Sequence, residues 1–182
     1  MSKRIYFKLI ALQLFLMCLI QSASAEPITT IKSSGLSSQM VDVVIIGDGF
    51  TASEMDQYRT QAQNFVNAMF TQEPFREYQN YFNVHRIDVI SNESGADHPE
   101  RNPPIFRDTK LGATYFCDGR SDRLLCIDNL AAQNVLDNSV GRDMQDIKVV
   151  IVNDTQFGGS GGAFCSIFPI RRFGDFVPRN RS

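Results

Sequence analysis

Histidine is the side chain that most often binds a catalytic metal ion or moves a proton near neutral pH, and this chain of 182 residues contains two. His98 lies in the segment ADHPE, residues 96–100, whose carboxylates could join it at a metal ion. His85 lies in a segment with strand character, which favours a packed or surface histidine. The helical motif H-E-x-x-H, which would place two imidazoles one turn apart beside a glutamate, does not occur in the sequence. We therefore predict no catalytic residue and no metal-binding residue in this chain.

A glycine-rich segment, GGSGG at residues 158–162, fits the nucleophile elbow of α/β-hydrolases, in which Ser160 would be the nucleophile. That fold places its histidine after the serine in the chain, and no histidine follows Ser160 here. The alternative is that the glycines allow a turn with positive φ angles. The order of the residues favours the turn.

A second glycine pattern, GDGFTA at residues 47–52, fits the dinucleotide-binding fingerprint because it follows a predicted strand and opens a predicted helix. Asp48 would place a negative charge beside the pyrophosphate, and no second strand carries the expected acidic residue about 20 positions later. Thr51 and Glu54 have the spacing of a capping box. The preferred interpretation is a tight turn that leads into a capped helix.

The elements around these motifs follow from hydrophobic periodicity. The β-branched run at residues 41–46 predicts a strand that is buried on both faces, and an apolar stripe predicts a helix from Thr51 to about Phe70. Further strands are predicted at residues 82–90 and 147–152, and a short helix at residues 129–136. This order predicts a single α/β domain with parallel strand pairing, interrupted by a long insertion at residues 91–126.

The first 25 residues have the pattern of a secretory signal peptide: basic residues, an apolar run at residues 9–20, and Ala-Ser-Ala at residues 23–25. We therefore expect a secreted or periplasmic protein that begins near Glu26 and has no membrane contact after cleavage. The formal net charge is −2, which does not indicate a nucleic acid as partner.

The cysteines suit an exported chain, because thiols outside the cytoplasm tend to be oxidised. Cys117 and Cys126 enclose a short polar segment, and closing a loop of about 10 residues contributes roughly 2.5 to 3 kcal/mol in the chain-entropy model. We predict a disulfide between them. Cys165 is then left without a partner.

Several segments together resemble the bacterial IgA-protease-type zinc metallopeptidase family. The resemblance covers about residues 41–164 and is carried, in order, by VDVVIIGDGFTASEMDQYRTQAQNFVNAMF, EPFREYQNYFNVHRIDVISNESGADHP, RDTKLGATYFC, RLLCIDN and VVIVNDTQFGGSGGAF. It implies a metzincin-like domain with a twisted, mostly parallel sheet, packed helices, and a Zn²⁺ ion in the complete enzyme. It also implies a protein or peptide substrate, such as immunoglobulin A. The residues implied at the edge of the substrate cleft are Gly159, Ser160, Gly161, Gly162 and Phe164.

The sequence departs from the family pattern after Phe164, where CSIFPIRRFGDFVPRNRS contains no histidine and no helical period. We therefore expect the N-terminal part of a peptidase-like domain at residues 41–166, preceded by a linker or edge strand at residues 26–40 and followed by an aberrant basic tail at residues 167–182. This account describes a truncated, inactive family member, ended before the active-site helix by a frameshift or an early stop. The alternative is a genuine short protein, a non-catalytic secreted α/β binding module.

Loss of the active-site helix also has a physical consequence. A sheet face without its covering helix would leave an apolar patch and promote aggregation. We therefore expect partial exposure of the strand at residues 149–152.

Overall fold

A computed structural model describes residues 25–167, which form eight strands and two helices. The predicted signal peptide and basic tail lie outside the described residues, except for Ala25 and Ile167. The helices are α1 (Met55–Met69) and α2 (Asn129–Ser139). The strands are β1 (Ile28–Lys32), β2 (Val41–Asp48), β3 (Phe82–Ile87), β4 (Thr114–Tyr115), β5 (Leu125–Cys126), β6 (Ile147–Val152), β7 (Gly159–Ser160) and β8 (Cys165–Ile167).

Six strands form one mixed sheet in the order β1-β3-β2-β6-β8-β7, and β4 and β5 form a separate hairpin. The pairs β2–β3, β2–β6 and β6–β8 are parallel, whereas the outer strands β1 and β7 pair antiparallel with their neighbours. The predicted α/β class and the mostly parallel sheet are therefore confirmed. Ile167 pairs with both β6 and β7, so the sheet continues one residue past the expected domain boundary at residue 166.

Each face of the sheet is covered by one helix. Val43 and Ile45 of β2 pack with the apolar stripe of α1, and Val44 and Ile46 pack on the opposite face with α2 and the long insertion. Residues 149–152 of β6 alternate between the same two clusters and are at most 3 % exposed. The expected exposure of this strand is therefore wrong, because elements within residues 25–167 cover both of its faces.

The helical segment that contains α1 is capped at Thr51. The Thr51 amide donates to the Glu54 carboxylate at 2.9 Å, as the capping-box spacing predicts. A 3₁₀ turn occupies residues 52–54, so the α-helix itself starts four residues later than predicted. The hydroxyl of Tyr58 lies between the carbonyl oxygens of Ile45 and Ile87, at 3.0 and 2.9 Å. This fully buried side chain ties the helix to two adjacent strands of the sheet.

The long insertion is packed against the sheet rather than extended into solvent. The insertion contributes buried side chains to the cluster on the α2 face, Leu111 and Ala113 from the segment before its hairpin and Tyr115 and Leu125 from β4 and β5. Cys117 and Cys126 form the predicted disulfide across this hairpin, with their Cα atoms 6.1 Å apart. Neither helix within residues 25–167 combines the length and the apolar character needed to cross a membrane.

Removal of this disulfide is expected to weaken the fold measurably. Replacing both Cys117 and Cys126 with serine frees a loop of nine residues' separation, which lowers the free energy of unfolding by about 2.5 kcal/mol in the chain-entropy model. Chemical denaturation of the double variant measures the loss. Cys165→Ser, at an exposed free thiol, is the control and should leave stability unchanged. If the double variant is as stable as the wild type, the expectation is wrong.

Candidate functional site

The carboxyl ends of the parallel strands meet at one edge of the sheet, where open α/β sheets usually bind their ligands. Asp48 ends β2 there and accepts four hydrogen bonds from the insertion. Two come from hydroxyl groups, those of Ser91 at 3.1 Å and Thr109 at 2.8 Å, and two from the amides of Leu111 and Ala113, both at 2.9 Å. Burial raises the pKa of Asp48, although these four donors oppose the rise. This carboxyl group anchors the insertion to the sheet.

Gly49 forms a close crossing with the insertion just beyond this anchor. Its φ angle is +71°, and a Cβ atom at this position would lie 2.1 Å from the carbonyl oxygen of Gly95. Its amide donates to Ser91 Oγ at 3.0 Å, and its carbonyl accepts from the Gly95 amide and the Asn153 side chain, both at 3.0 Å. The turn therefore offers these groups to its own chain and not to a pyrophosphate, which agrees with the tight-turn interpretation.

His98 is buried between two carboxylates from different parts of the chain. Its Nδ1 lies 3.0 Å from Glu100 Oε1, and its Nε2 lies 2.9 Å from Asp154 Oδ2. The imidazole ring stacks on Tyr115, with 4.7 Å between centroids and 8° between planes. Within the described part of the chain, no group of three or more His, Cys, Asp or Glu side chains has an arrangement that could hold a metal ion.

His85 belongs to a separate network near the start of β2. Its Nε2 lies 3.0 Å from Asp42 Oδ1, and its Nδ1 lies 3.1 Å from the hydroxyl of Thr30 on the neighbouring strand β1. His85 and Asp42 are both buried. Of the packed and surface roles that the strand pattern favours for His85, the structure shows the packed one.

The glycine-rich segment forms the outer edge of the sheet. β7 pairs antiparallel with β8, and the Ser160 hydroxyl lies 2.7 Å from the Ser166 hydroxyl. Gly161 and Gly162 follow in an exposed turn, and a Cβ atom on either would meet nothing within 4 Å. Ser160 therefore lies on an edge strand and not at the strand-to-helix turn that a nucleophile elbow requires.

Phe164 is set apart from the other residues implied at the cleft edge. It is 5 % exposed and packs in the cluster on the α2 face, with Lys148 Nζ 5.1 Å from its ring centroid. The structure therefore brings Gly159, Ser160, Gly161 and Gly162 together along one edge and directs Phe164 into the core.

The hairpin of β4 and β5 supports the segment that leads into β7. The Tyr115 hydroxyl donates to the Gln156 carbonyl at 2.6 Å, and the Gly159 amide donates to the Arg123 carbonyl at 3.0 Å. Gly158 approaches Tyr115 so closely that a Cβ atom would lie 2.5 Å from the ring. The insertion thus holds the edge strand in place on its inner side.

The network around His98 was not predicted from the sequence. The segment of residues 96–100 indicates His98 with its acidic neighbours Asp97 and Glu100 as possible metal ligands, but the partner Asp154 lies 56 residues from His98. A signal was present, because Asp154 lies two residues after the predicted strand at residues 147–152, at the sheet edge where polar side chains from several strands converge.

Comparison with known proteins places this arrangement in a family. The sequence model of the IgA Peptidase M64 family matches residues 29–168. No curated protein matches the chain. The family match includes both helices and the strands from β2 to β8, together with the Asp48 anchor, the insertion and the glycine-rich edge. Because the match extends over more than half of the sequence, the chain belongs to the IgA peptidase M64 family.

Proposed function

We propose that residues 41–166 form the substrate-binding part of a secreted zinc metallopeptidase domain, and that β7 with its glycine turn borders the peptide cleft. The observation that carries this proposal is the position of β7 at the outer edge of the sheet. An extended peptide adds to such an edge through backbone hydrogen bonds. The proposed substrate is a protein, with immunoglobulin A as the first candidate because of the family to which the chain belongs.

The shape of the edge supports close approach of a peptide backbone. Gly161 and Gly162 have no Cβ atoms, and no atom of residues 25–167 occupies the space that such atoms would take. The Gly159 amide is already bonded to Arg123, so the free part of the edge begins beyond Gly159. Glycine at such positions lets another backbone come close without a steric clash.

The histidines of this chain do not fit the zinc site of a peptidase, which needs three protein ligands and an open position for water. The chain has only His85 and His98, and each ring nitrogen faces an oxygen of the protein. The Zn²⁺ ion therefore belongs to the complete family enzyme. We propose that this chain alone does not hydrolyse peptide bonds and has no resident cofactor.

The test of this proposal is binding without cleavage. Purified chain is expected to bind immobilised immunoglobulin A, and Gly161→Val should weaken binding at least about tenfold, because the added side chain occupies the path of the peptide. The unfolding free energy should change by less than about 0.5 kcal/mol, since the side chain enters open space. Asn64→Val, on the exposed face of α1, is the control for added apolar surface.

Three outcomes would contradict the proposal. Unchanged binding by Gly161→Val would show that this edge does not contact the peptide. If the wild-type chain binds no immunoglobulin A, then immunoglobulin A is not its substrate. Cleavage that a chelator abolishes, together with one bound zinc ion per chain, would overturn the proposed lack of catalytic activity.

A non-catalytic secreted α/β binding module is the second candidate function. It is favoured by the burial of β6 on both faces, because residues 25–167 thereby form a covered core without a further helix. A module of this kind unfolds in a single cooperative transition and is monodisperse in solution. Aggregation of the purified chain together with a broad transition would instead favour an incomplete peptidase domain.

A further inference from the structure

We infer that His98 is a positioning residue that holds the peptide-binding edge in place, and that it does so in its doubly protonated form. The inference rests on the role proposed for β7 and adds a pH-dependent support for that edge. It concerns a side chain that contacts neither the proposed peptide path nor any metal-binding group.

The hydrogen-bond geometry determines which form of His98 fits the site. Both ring nitrogens lie within 3.0 Å of carboxylate oxygens, one on Glu100 and one on Asp154. An ionised carboxylate accepts hydrogen bonds but donates none, and an imidazole ring donates through both nitrogens only as imidazolium. With both carboxyl groups ionised, the arrangement therefore requires the second proton on the ring.

Burial strengthens this requirement. His98 is 2 % exposed, and its carboxylate partners Asp154 and Glu100 are only 10 % and 17 % exposed in their side chains. Charges taken out of water are tolerated when they are paired. Glu100 Oε2 is buried and has no hydrogen-bond partner among residues 25–167, so this carboxylate depends on the neighbouring cation for its stability.

Three titratable groups contact the imidazole, those of Glu100, Asp154 and Tyr115, and a fourth group, that of Arg101, lies beside Glu100. Glu100 and Arg101 come from the insertion, Tyr115 from β4 and Asp154 from the segment after β6. Arg101 Nε lies 3.9 Å from Glu100 Oε1. With His98 protonated, two cations face two carboxylates, and loss of the ring proton leaves one negative charge in excess.

The contacts continue from His98 to the edge strand. Asp154 Oδ1 accepts from the Gln156 amide at 2.8 Å, and the Gln156 side chain accepts from Arg101 at 3.1 Å. Three residues later, Gly159 begins β7. When His98 loses its second proton, one ring nitrogen presents a lone pair to a carboxylate, so the segment from Asp154 to Gly159 loses the contact that holds its first residue, while the bonds of Gln156 and Gly159 to the insertion remain.

Hydrogen exchange at two amides tests the inference directly. The amides of Gln156 and Gly159 are both hydrogen-bonded in the supported segment. Between about pH 5 and pH 9, a range that spans the titration of histidine, we expect their opening to increase about tenfold relative to amides of α1. Normalising to α1 removes the pH dependence of the chemical exchange step.

Two variants separate this role from a general structural one. His98→Gln cannot carry the charge, so its segment should be open at every pH in the range. Glu100→Gln replaces one carboxylate with an amide, which can donate to a ring nitrogen, so a singly protonated His98 fits this site and the opening should depend less on pH. A changed pH profile in a folded protein is a result that loss of packing alone does not produce.

Immunoglobulin A binding, measured over the same pH range, separates the inference from the function on which it rests. The inference is overturned if the opening of the Gln156 and Gly159 amides does not depend on pH. It is also overturned if this opening has the same pH profile in His98→Gln as in the wild type. Opening that follows the expected profile without binding at any pH supports the role of His98 in the segment and overturns the proposed function. Binding that falls with the opening supports both.

Discussion

Replacing Asp48 with alanine is expected to lower the free energy of unfolding by about 3–5 kcal/mol, because the variant leaves several buried donors without an acceptor. Two of these donors are the amides of Leu111 and Ala113, both buried residues, and a buried polar group without a hydrogen bond is costly. Guanidinium denaturation followed by far-ultraviolet circular dichroism measures the change.

The pH dependence of this effect has a definite sign. Burial raises the pKa of Asp48 in the folded state, so the folded protein takes up this proton more readily than the unfolded chain. The corresponding stabilisation is complete below the ordinary aspartate pKa of about 3.9 and is lost as the pH rises through the raised value. The stability difference between wild type and Asp48→Ala should therefore be larger in acid than at neutral pH.

Asp118→Ala is the matched control for this carboxylate. Asp118 also accepts from two backbone amides, those of Arg120 and Ser121, but it lies in an exposed loop where water replaces the lost bonds. Its substitution should have a much smaller effect than that of Asp48. Equal effects of the two substitutions would show that Asp48 does not anchor the insertion.

Local patterns predicted the elements whose burial is periodic. The β-branched run at residues 41–46 became the central strand, and the stripe that includes Met55, Tyr58, Ala62 and Val66 became the buried face of α1. These features depend on neighbours along the chain, so a single sequence contains the information needed to find them.

The predicted ends of the elements were less accurate, because the ends depend on partners that are distant in sequence. β2 extends through Asp48 because that residue pairs with Val152 of β6. β3 ends at Ile87, before the predicted residue 90, because its partner strand β1 begins at Ile28, which pairs with Ile87. Neither pairing is visible in the local pattern.

The site was the least predictable part of the molecule for the same reason. The hydrogen bond from Leu111 to Asp48 joins residues 63 positions apart, and that from His98 to Asp154 joins residues 56 apart. Phe164 follows a glycine-rich turn, where no periodicity indicates which face it occupies. Contacts of this kind result from the packing of the insertion, which has no regular period of its own.

The close crossing at Gly49 leads to the second large effect. Gly49→Ala is expected to lower the free energy of unfolding by more than about 4 kcal/mol. A φ angle of +71° costs an L-residue about 1–2 kcal/mol, and the Cβ atom would collide with the Gly95 carbonyl oxygen at 2.1 Å. Separation of the two backbones would break the hydrogen bond from the Gly95 amide to the Gly49 carbonyl. Denaturant unfolding measures the total loss.

Gly119 provides a control that separates the two contributions. Its φ angle is +68°, nearly the same as that of Gly49, but a Cβ atom there would meet nothing within 4 Å. Gly119→Ala should therefore show only the conformational cost, about 1–2 kcal/mol. The difference between the two variants measures the cost of forcing the insertion away from the end of β2. If both variants lose the same stability, the insertion does not contact Gly49 closely. The conclusion that the loop carrying His98 is tightly anchored there would then be wrong.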